Sequence, residues 1–157
     1  AMQIINVEKE FEDIFLIASE DNYTQKWFKD NEIFFSIKHG KIIKTLGIDN
    51  NFEILSYTGF KSFEKTSALI RFHSPESDYM EIYFSYKIIK EGSMKKIINN
   101  EEFDYRLVEE SFSVPLIKWN GKNYYWIDNE GDVWLSKQII DPFGKKARIN
   151  VLKKYSG

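Results

Sequence analysis

The stretch Lys122–Gln138, KNYYWIDNEGDVWLSKQ, decides how the chain is read. Asn129-Glu130-Gly131 fits a three-residue hairpin loop, with Gly131 in the left-handed position of a bulge. That loop sets Asp128 opposite Asp132, Ile127 opposite Val133, Trp126 opposite Trp134 and Tyr125 opposite Leu135. The two tryptophans then form a cross-strand pair with Tyr124 and Ser136 beside them, worth roughly 0.5–1 kcal/mol beyond burial alone. Ile127, Val133, Tyr125 and Leu135 make the other face, which is apolar apart from one phenol.

The same alternation continues outward. Asn120-Gly121 is a strong hairpin dipeptide, predicted to join a strand ending at Trp119 to one starting at Lys122. Phe103 to Val114 alternates over its length, Ser67 to His73 and Tyr79 to Ile89 read as strands, and Glu91-Gly92 predicts a turn into Met94–Ile98. His39-Gly40 divides two alternating runs and predicts the pairs Ile37/Ile42, Phe35/Lys44 and Ile33/Leu46. Arg148 to Lys153 is a candidate closing strand. Val7 to Ser19 reads as a helix: Phe11, Ile14, Phe15 and Ala18 fall at i, i+3, i+4 and i+7, and acids crowd the start, where the helix dipole favours them. The predicted fold is all-β, an antiparallel meander forming a barrel-like domain with a short N-terminal helix. Closure or a sandwich removes the exposed edges that so many sequential hairpins leave.

Composition agrees. A chain of 157 residues makes a single domain over residues 1–157, with enough apolar content at 43% for a real core. Aromatics reach 17%, mostly Phe and Tyr, and that mix suits strands. The net charge of −2 and the scattering of lysines among acids leave no field for nucleic acid. Cysteine is absent, which excludes disulfides and thiolate metal sites. No apolar run approaches the roughly 18 residues that span a bilayer. Ala1 before Met2 reads as a remnant of tag removal, so a natural leader and whatever it carries are expected upstream of residue 1.

Catalytic signals are weak. His39 and His73 are the only histidines, and no G-x-S-x-G surrounds a serine. Glu101-Glu102, Glu109-Glu110 and Asp128 with Asp132 are paired acids, read as solvated strand-edge charges rather than facing acids in a cleft. Asp128–Asp132 reads as a plain turn, since its glycine does not match a calcium loop. Phosphate-binding glycine loops are absent. The expectation is no catalytic residue, no metal and no cofactor. Trp119, Tyr124, Trp126 and Trp134 are the candidate ligand-binding residues, able to stack sugar rings; the alternative is that the indoles fill the barrel wall.

Two blocks resemble a known family: WFKDNEIFFSIKHGKIIKTLGIDNNFEIL, Trp27 to Leu55, and KNYYWIDNEGDVWLSKQIIDPFGKKARINVLK, Lys122 to Lys153. Trp27, His39, Gly40, Ile42, Lys44, Thr45, Gly47 and Asn51 in the first, and Asn123, Tyr125, Trp126, Asp128, Gly131, Val133, Trp134, Ser136, Gln138 and Pro142 in the second, are similar to the YjbF/GfcB family of group 4 capsule, or exopolysaccharide, lipoproteins. Leu135 and Lys41 are mild departures. The resemblance implies a barrel-like lipoprotein domain in which Trp27, Gly40, Gly47, Asp128, Gly131 and Gln138 are structural. It implies a lipidated cysteine upstream of residue 1 and a place on the periplasmic face of the outer membrane. The role it implies is accessory to the secretion or assembly of an extracellular polysaccharide, alongside envelope proteins of the export system. No catalytic residues carry over.

Three functions follow: an export lipoprotein that works by docking, a carbohydrate-binding module that holds the polymer, and a small barrel around an apolar ligand. Exposed coplanar tryptophans beside a groove favour the second, an internal cavity the third, and a filled interior with an apolar outer patch the first. On the core reading, Trp134→Ala destabilises by about 3–5 kcal/mol.

Overall fold

The computed structural model describes residues 2–7, 11–21, 24–29, 33–48, 50–60, 64–73, 76–96, 100–140, 142–143 and 146–151. These form twelve strands: β1 Met2–Val7, β2 Phe11–Asp21, β3 Thr24–Lys29, β4 Ile33–Lys38, β5 Lys41–Leu46, β6 Phe52–Leu55, β7 Thr66–Phe72, β8 Met80–Lys95, β9 Glu102–Val114, β10 Trp119–Ile127, β11 Val133–Ile139 and β12 Lys146–Val151. Each pairs antiparallel with its sequence neighbour, and β1 also pairs with β12, from Gln3↔Val151 to Val7↔Ala147. The meander therefore closes into a barrel. One end carries the start of β1 and the β4–β5, β8–β9 and β10–β11 turns. The other carries the β7–β8, β9–β10 and β11–β12 turns.

The N-terminal helix is not formed. Phe11–Asp21 is strand β2, paired with β1 from Met2↔Leu16 to Val7↔Phe11 and with β3 on its other side. Phe, Ile and Leu at these spacings satisfy a strand as well as a helix. Two neighbouring strands supply backbone partners that a lone helix lacks, so tertiary context decides.

Two turn dipeptides are also displaced. Asn120-Gly121 lies inside β10, and the β9–β10 connection is instead a 3-10 turn, Pro115–Ile117, ended by Lys118 at φ 53°. Gly121 has a packing reason to be glycine: a Cβ there would lie 2.7 Å from Ile139 Cδ1 and 2.8 Å from Phe112 Cζ. Glu91-Gly92 lies inside β8, where the Tyr105 ring covers the glycine.

Where turns stand as predicted, bulges shift the register beyond them. His39 and Gly40 make the β4–β5 turn with φ of 52° and 80°, and Ile37 pairs with Ile42. Two residues on, past the bulge between Ser36 and Ile37, Phe35 meets Thr45 rather than Lys44. In the opening stretch Ile127 pairs with Val133, but Trp126 meets Leu135 and Tyr125 meets Ser136. The Trp126–Trp134 cross-strand pair is not formed, because β11 carries an extra residue at the bulge.

Eight strands already make a barrel just wide enough for side chains to fill, so a round twelve-stranded one would be hollow. This barrel is flattened instead. β5 and β11 are opposite in the ring order, yet a Cβ on Gly40 would come within 2.5 Å of Val133 Cγ2. Phe35, Ile42, Ile70, Ile82, Phe84 and Tyr125 are among the side chains that close the interior.

Candidate functional site

The two sequence blocks of the resemblance meet across this interior. Gln138 on β11 reaches the β4–β5 hairpin: its Oε1 accepts from Ile42 N at 2.8 Å, and its Nε2 donates to Gly40 O at 2.9 Å and to Ser136 Oγ at 3.0 Å. Gln138 is buried, so each of these bonds meets a group that water does not serve. Gly40 has to be glycine for the hairpin tip to lie on Val133 with φ at 80°.

Beside this clamp lies a buried polar cluster. Glu110 on β9 has no solvent exposure. Its Oε1 accepts from Lys41 Nζ at 2.9 Å, Asn123 Nδ2 at 2.8 Å and Tyr125 Oη at 3.0 Å, and its Oε2 accepts from Tyr57 Oη at 2.5 Å. Tyr86 Oη lies 3.3 Å from Tyr57 Oη. Lys41 Nζ also sits 5.3 Å from the Phe84 ring centre and 5.7 Å from that of Tyr57. Asn123 Oδ1 accepts from Ile139 N at 2.8 Å. Burial pushes the Glu110 carboxyl up, but the Lys41 charge and the hydrogen bonds from Tyr57, Asn123 and Lys41 outweigh it and hold the group below its ordinary pKa. Burial, then the Glu110 charge, raises Tyr57, Tyr125 and Tyr86 well above the ordinary phenol value. Every partner of the carboxylate is a protein donor, so the cluster ties β5, β8, β9, β10 and the segment after β6 together. A niche of about 10 Å³ beside Lys41, Asn123 and Trp119 has room for roughly one water.

The reading of Glu109-Glu110 as solvated charges is therefore corrected. Glu110 is fully enclosed, and Glu109, 7% exposed on the outer face, lies 3.6 Å from Lys87 and 3.4 Å from Lys122. The signal for Glu110 was its parity in β9: it shares a face with Val108, Phe112 and Val114, all buried.

The structure brings two of the four aromatic candidates onto one face and sets the others apart. Tyr124 and Trp126 alternate with the buried Asn123, Tyr125 and Ile127, so both point outward, half-buried, with Lys137 Nζ 5.8 Å from the Trp126 ring. Trp119 closes the far end of the interior, 4.9 Å from Phe112 and 5.8 Å from Phe72 between ring centres. Trp134 stands by the β10–β11 turn. Its Nε1 donates to Asp128 Oδ2 at 2.8 Å, Lys96 Nζ lies 4.0 Å over its ring, and Phe103 lies 6.1 Å away. Trp134 is half-buried, so Trp134→Ala is expected to lower stability by about 2 kcal/mol in urea unfolding, less than a fully enclosed indole would.

Asp128 organises that turn. Its Oδ1 accepts from Glu130 N at 2.8 Å and Asp132 N at 3.0 Å, and Gly131 takes φ 88°. Carboxylate oxygens of Asp128, Glu130 and Asp132 lie within 4.8 Å of one another, but both oxygens of Asp128 already serve the turn and the indole. Gly47, at φ 83°, makes the bend after β5. Trp27 lies in β3, opposite Phe35 on β4; its side chain is outside the described residues. His39 and His73 lie at opposite ends of the barrel, so they build no joint site.

Comparison with known proteins fits this architecture. A family model described as group 4 capsule polysaccharide lipoprotein GfcB, YjbF matches residues 1–152. The uncharacterized lipoprotein YjbF of Escherichia coli (strain K12) is 24% identical over 134 residues, a match that covers 80% of this chain and 62% of that protein. The chain thus spans less than two thirds of that relative's length. The crystal structure of the hypothetical lipoprotein YmcC from Escherichia coli (K12) superposes with a TM-score of 0.78 at 13% identity, over 99% of this chain and 84% of that one. At that identity the likeness is one of fold.

Proposed function

The chain belongs to the group 4 capsule polysaccharide lipoprotein family, and on that premise we propose that it is a non-enzymatic lipoprotein accessory to the secretion or assembly of a capsular or extracellular polysaccharide. In this reading a lipidated cysteine upstream of residue 1 holds it on the periplasmic face of the outer membrane, where it docks to envelope proteins of the export system. A single acyl chain binds a membrane only marginally, so the several chains of a bacterial lipoprotein supply the attachment.

The filled interior carries this reading. The opposed walls touch through Gln138 and Gly40, and Glu110 is saturated by side chains of the domain itself. That leaves the outer surface to work with. Leu116 is 77% exposed and Phe143 81%, on the neighbouring β9–β10 and β11–β12 turns, and apolar tips of this kind suit docking to another protein.

The test is complementation in a strain that lacks the gene, with variants whose unfolding curves match the parent. Leu116→Glu combined with Phe143→Glu should cut surface polysaccharide severalfold, and Tyr124→Ala combined with Trp126→Ala should leave it intact. The reverse result, with purified polymer binding to the parent and not to the aromatic variant in calorimetry, moves the function to glycan binding through the outward face of β10.

A further inference from the structure

The outer wall of β10, β11 and β12 is basic, in a chain whose net charge is −2. Asn123, Tyr125, Gln138, Ala147 and Ile149 are buried, so the residues that alternate with them face outward. Tyr124 stands opposite Lys137, and Lys137 opposite Arg148. Lys122 and Lys146 come two positions along on the same face, on the strands that flank β11. All four cations are exposed. Among the described residues Lys137, Lys146 and Arg148 have no acid in ion-pair range, and Lys122 shares Glu109 with Lys87. The described outward residues of these three strands include no acid. Acids begin at the borders: Glu109 on β9, Asp128, Glu130 and Asp132 at the β10–β11 turn, and Glu12 on β2, which the ladder reaches from Arg148 through Asn6.

Like charges directly opposite each other weaken a ladder, so the Lys137–Arg148 pair costs the isolated domain stability. An anionic surface turns that repulsion into attraction. The wall is a sheet face and not a cleft, and its cations stand among Tyr124, Trp126 and Ile139. Lys and Arg beside Trp and Tyr are the residues that sit at the headgroup level of a bilayer. A sugar polymer would need acceptors for its hydroxyls, and among the described residues that separate the four cations only the Tyr124 phenol offers one. β12 borders β1, whose start pairs as Gln3↔Val151. In the lipoprotein reading the anchoring segment therefore leaves beside this wall.

We propose that the outer wall of β10, β11 and β12 lies against an anionic phospholipid surface, with Lys122, Lys137, Lys146 and Arg148 as its contacts. The barrel then rests on its side. Leu116 and Phe143, on the turns at one end, are left pointing along the leaflet toward a neighbouring protein. Each basic residue near such a surface raises partitioning by about fivefold, so four of them bind only weakly on their own. Their part is to orient a domain that the lipid anchor already holds there. The proposal takes its setting alone from the lipoprotein reading, and the purified chain tests the wall without an anchor.

Co-sedimentation with vesicles at several millimolar lipid is the experiment. The parent should bind vesicles of phosphatidylcholine with about a third phosphatidylglycerol at low salt and should ignore phosphatidylcholine alone. It should let go at about 0.5 M salt, where screening reaches within a few ångströms. Lys137→Glu is the decisive variant. It turns the like-charged pair into an opposite one, so the fold should be no less stable in urea. Two units of charge are lost from the wall, so partitioning should fall about 25-fold. Lys65→Glu makes the same change in net charge in the exposed segment before β7, and should bind nearly as the parent does. Anionic vesicles that leave the parent in solution, or that bind Lys137→Glu as well as the parent, overturn the proposal. If vesicles fail while polygalacturonate binds the parent and not Lys137→Glu in calorimetry, the proposal falls and the wall belongs to an acidic polysaccharide. None of these outcomes bears on complementation by the Leu116 and Phe143 variants, so the docking reading and this one fail separately.

Discussion

Glu110→Ala should destabilise the domain by about 3–5 kcal/mol, a large part of the stability of an ordinary domain. The cost comes mainly from what is left behind. Lys41, 4% exposed, would keep its charge among the rings of Tyr57 and Phe84 with no carboxylate in reach of its Nζ. Tyr57, Tyr125 and Asn123 would lose the acceptor they share. Removing both charges, with Lys41→Met and Glu110→Leu together, should cost markedly less, since no ion is then stranded. The difference between the single and double variants measures the coupling. A loss under about 1 kcal/mol in urea for Glu110→Ala would show that the cluster does not hold the barrel. Acid should act the same way. The carboxyl's folded pKa lies below its ordinary value, so its contribution is complete above the ordinary glutamate value of about 4.3. It is lost as pH falls through the lower folded value. The alanine variant should therefore show a flatter acid limb.

The strands were legible because alternation is local: Phe103–Val114 and the two sides of His39-Gly40 announce themselves. Register was not, because one extra residue at Trp134 or near Ile89 leaves the pattern readable on either side and shifts everything beyond it. Gly121 and Gly92 were read as turns because glycine in a strand interior and glycine in a hairpin look alike. The neighbours that distinguish them, Ile139, Phe112 and Tyr105, are remote in the chain or lie across the ladder. Val7–Ser19 failed for a related reason, since the ladder partners of β2 lie on β1 and β3, outside the window in which its apolar spacing is read. The blocks around Gly40 and Gln138 were visible as a family pattern. Their joint role was not, because the contact between them spans 98 positions. Glu110 was within reach, as a charge on the apolar face of its strand.

Alkali should unfold this domain steeply above about pH 10, the ordinary tyrosine value. Tyr57, Tyr86 and Tyr125, three of the nine tyrosines, are enclosed around an already negative Glu110, and all three pKa values are raised. A raised folded pKa means that the stabilisation is complete below the unfolded value. It is lost as pH climbs from there, because the unfolded chain gives up protons that the folded chain keeps. Three such protons tilt the equilibrium toward unfolding by about 4 kcal/mol per pH unit. Tyrosinate absorbance followed alongside near-ultraviolet circular dichroism tests this. The three enclosed phenols should ionise only as the tertiary signal collapses. Tyr57→Phe removes one of the three protons, so the steepness should fall by about a third. It also withdraws a donor from Glu110, which separates the two effects: the midpoint moves with the lost hydrogen bond, and the slope with the lost proton. Ionisation of all tyrosines ahead of unfolding would mean that solvent reaches the cluster, and the filled interior on which the docking function rests would fall with it.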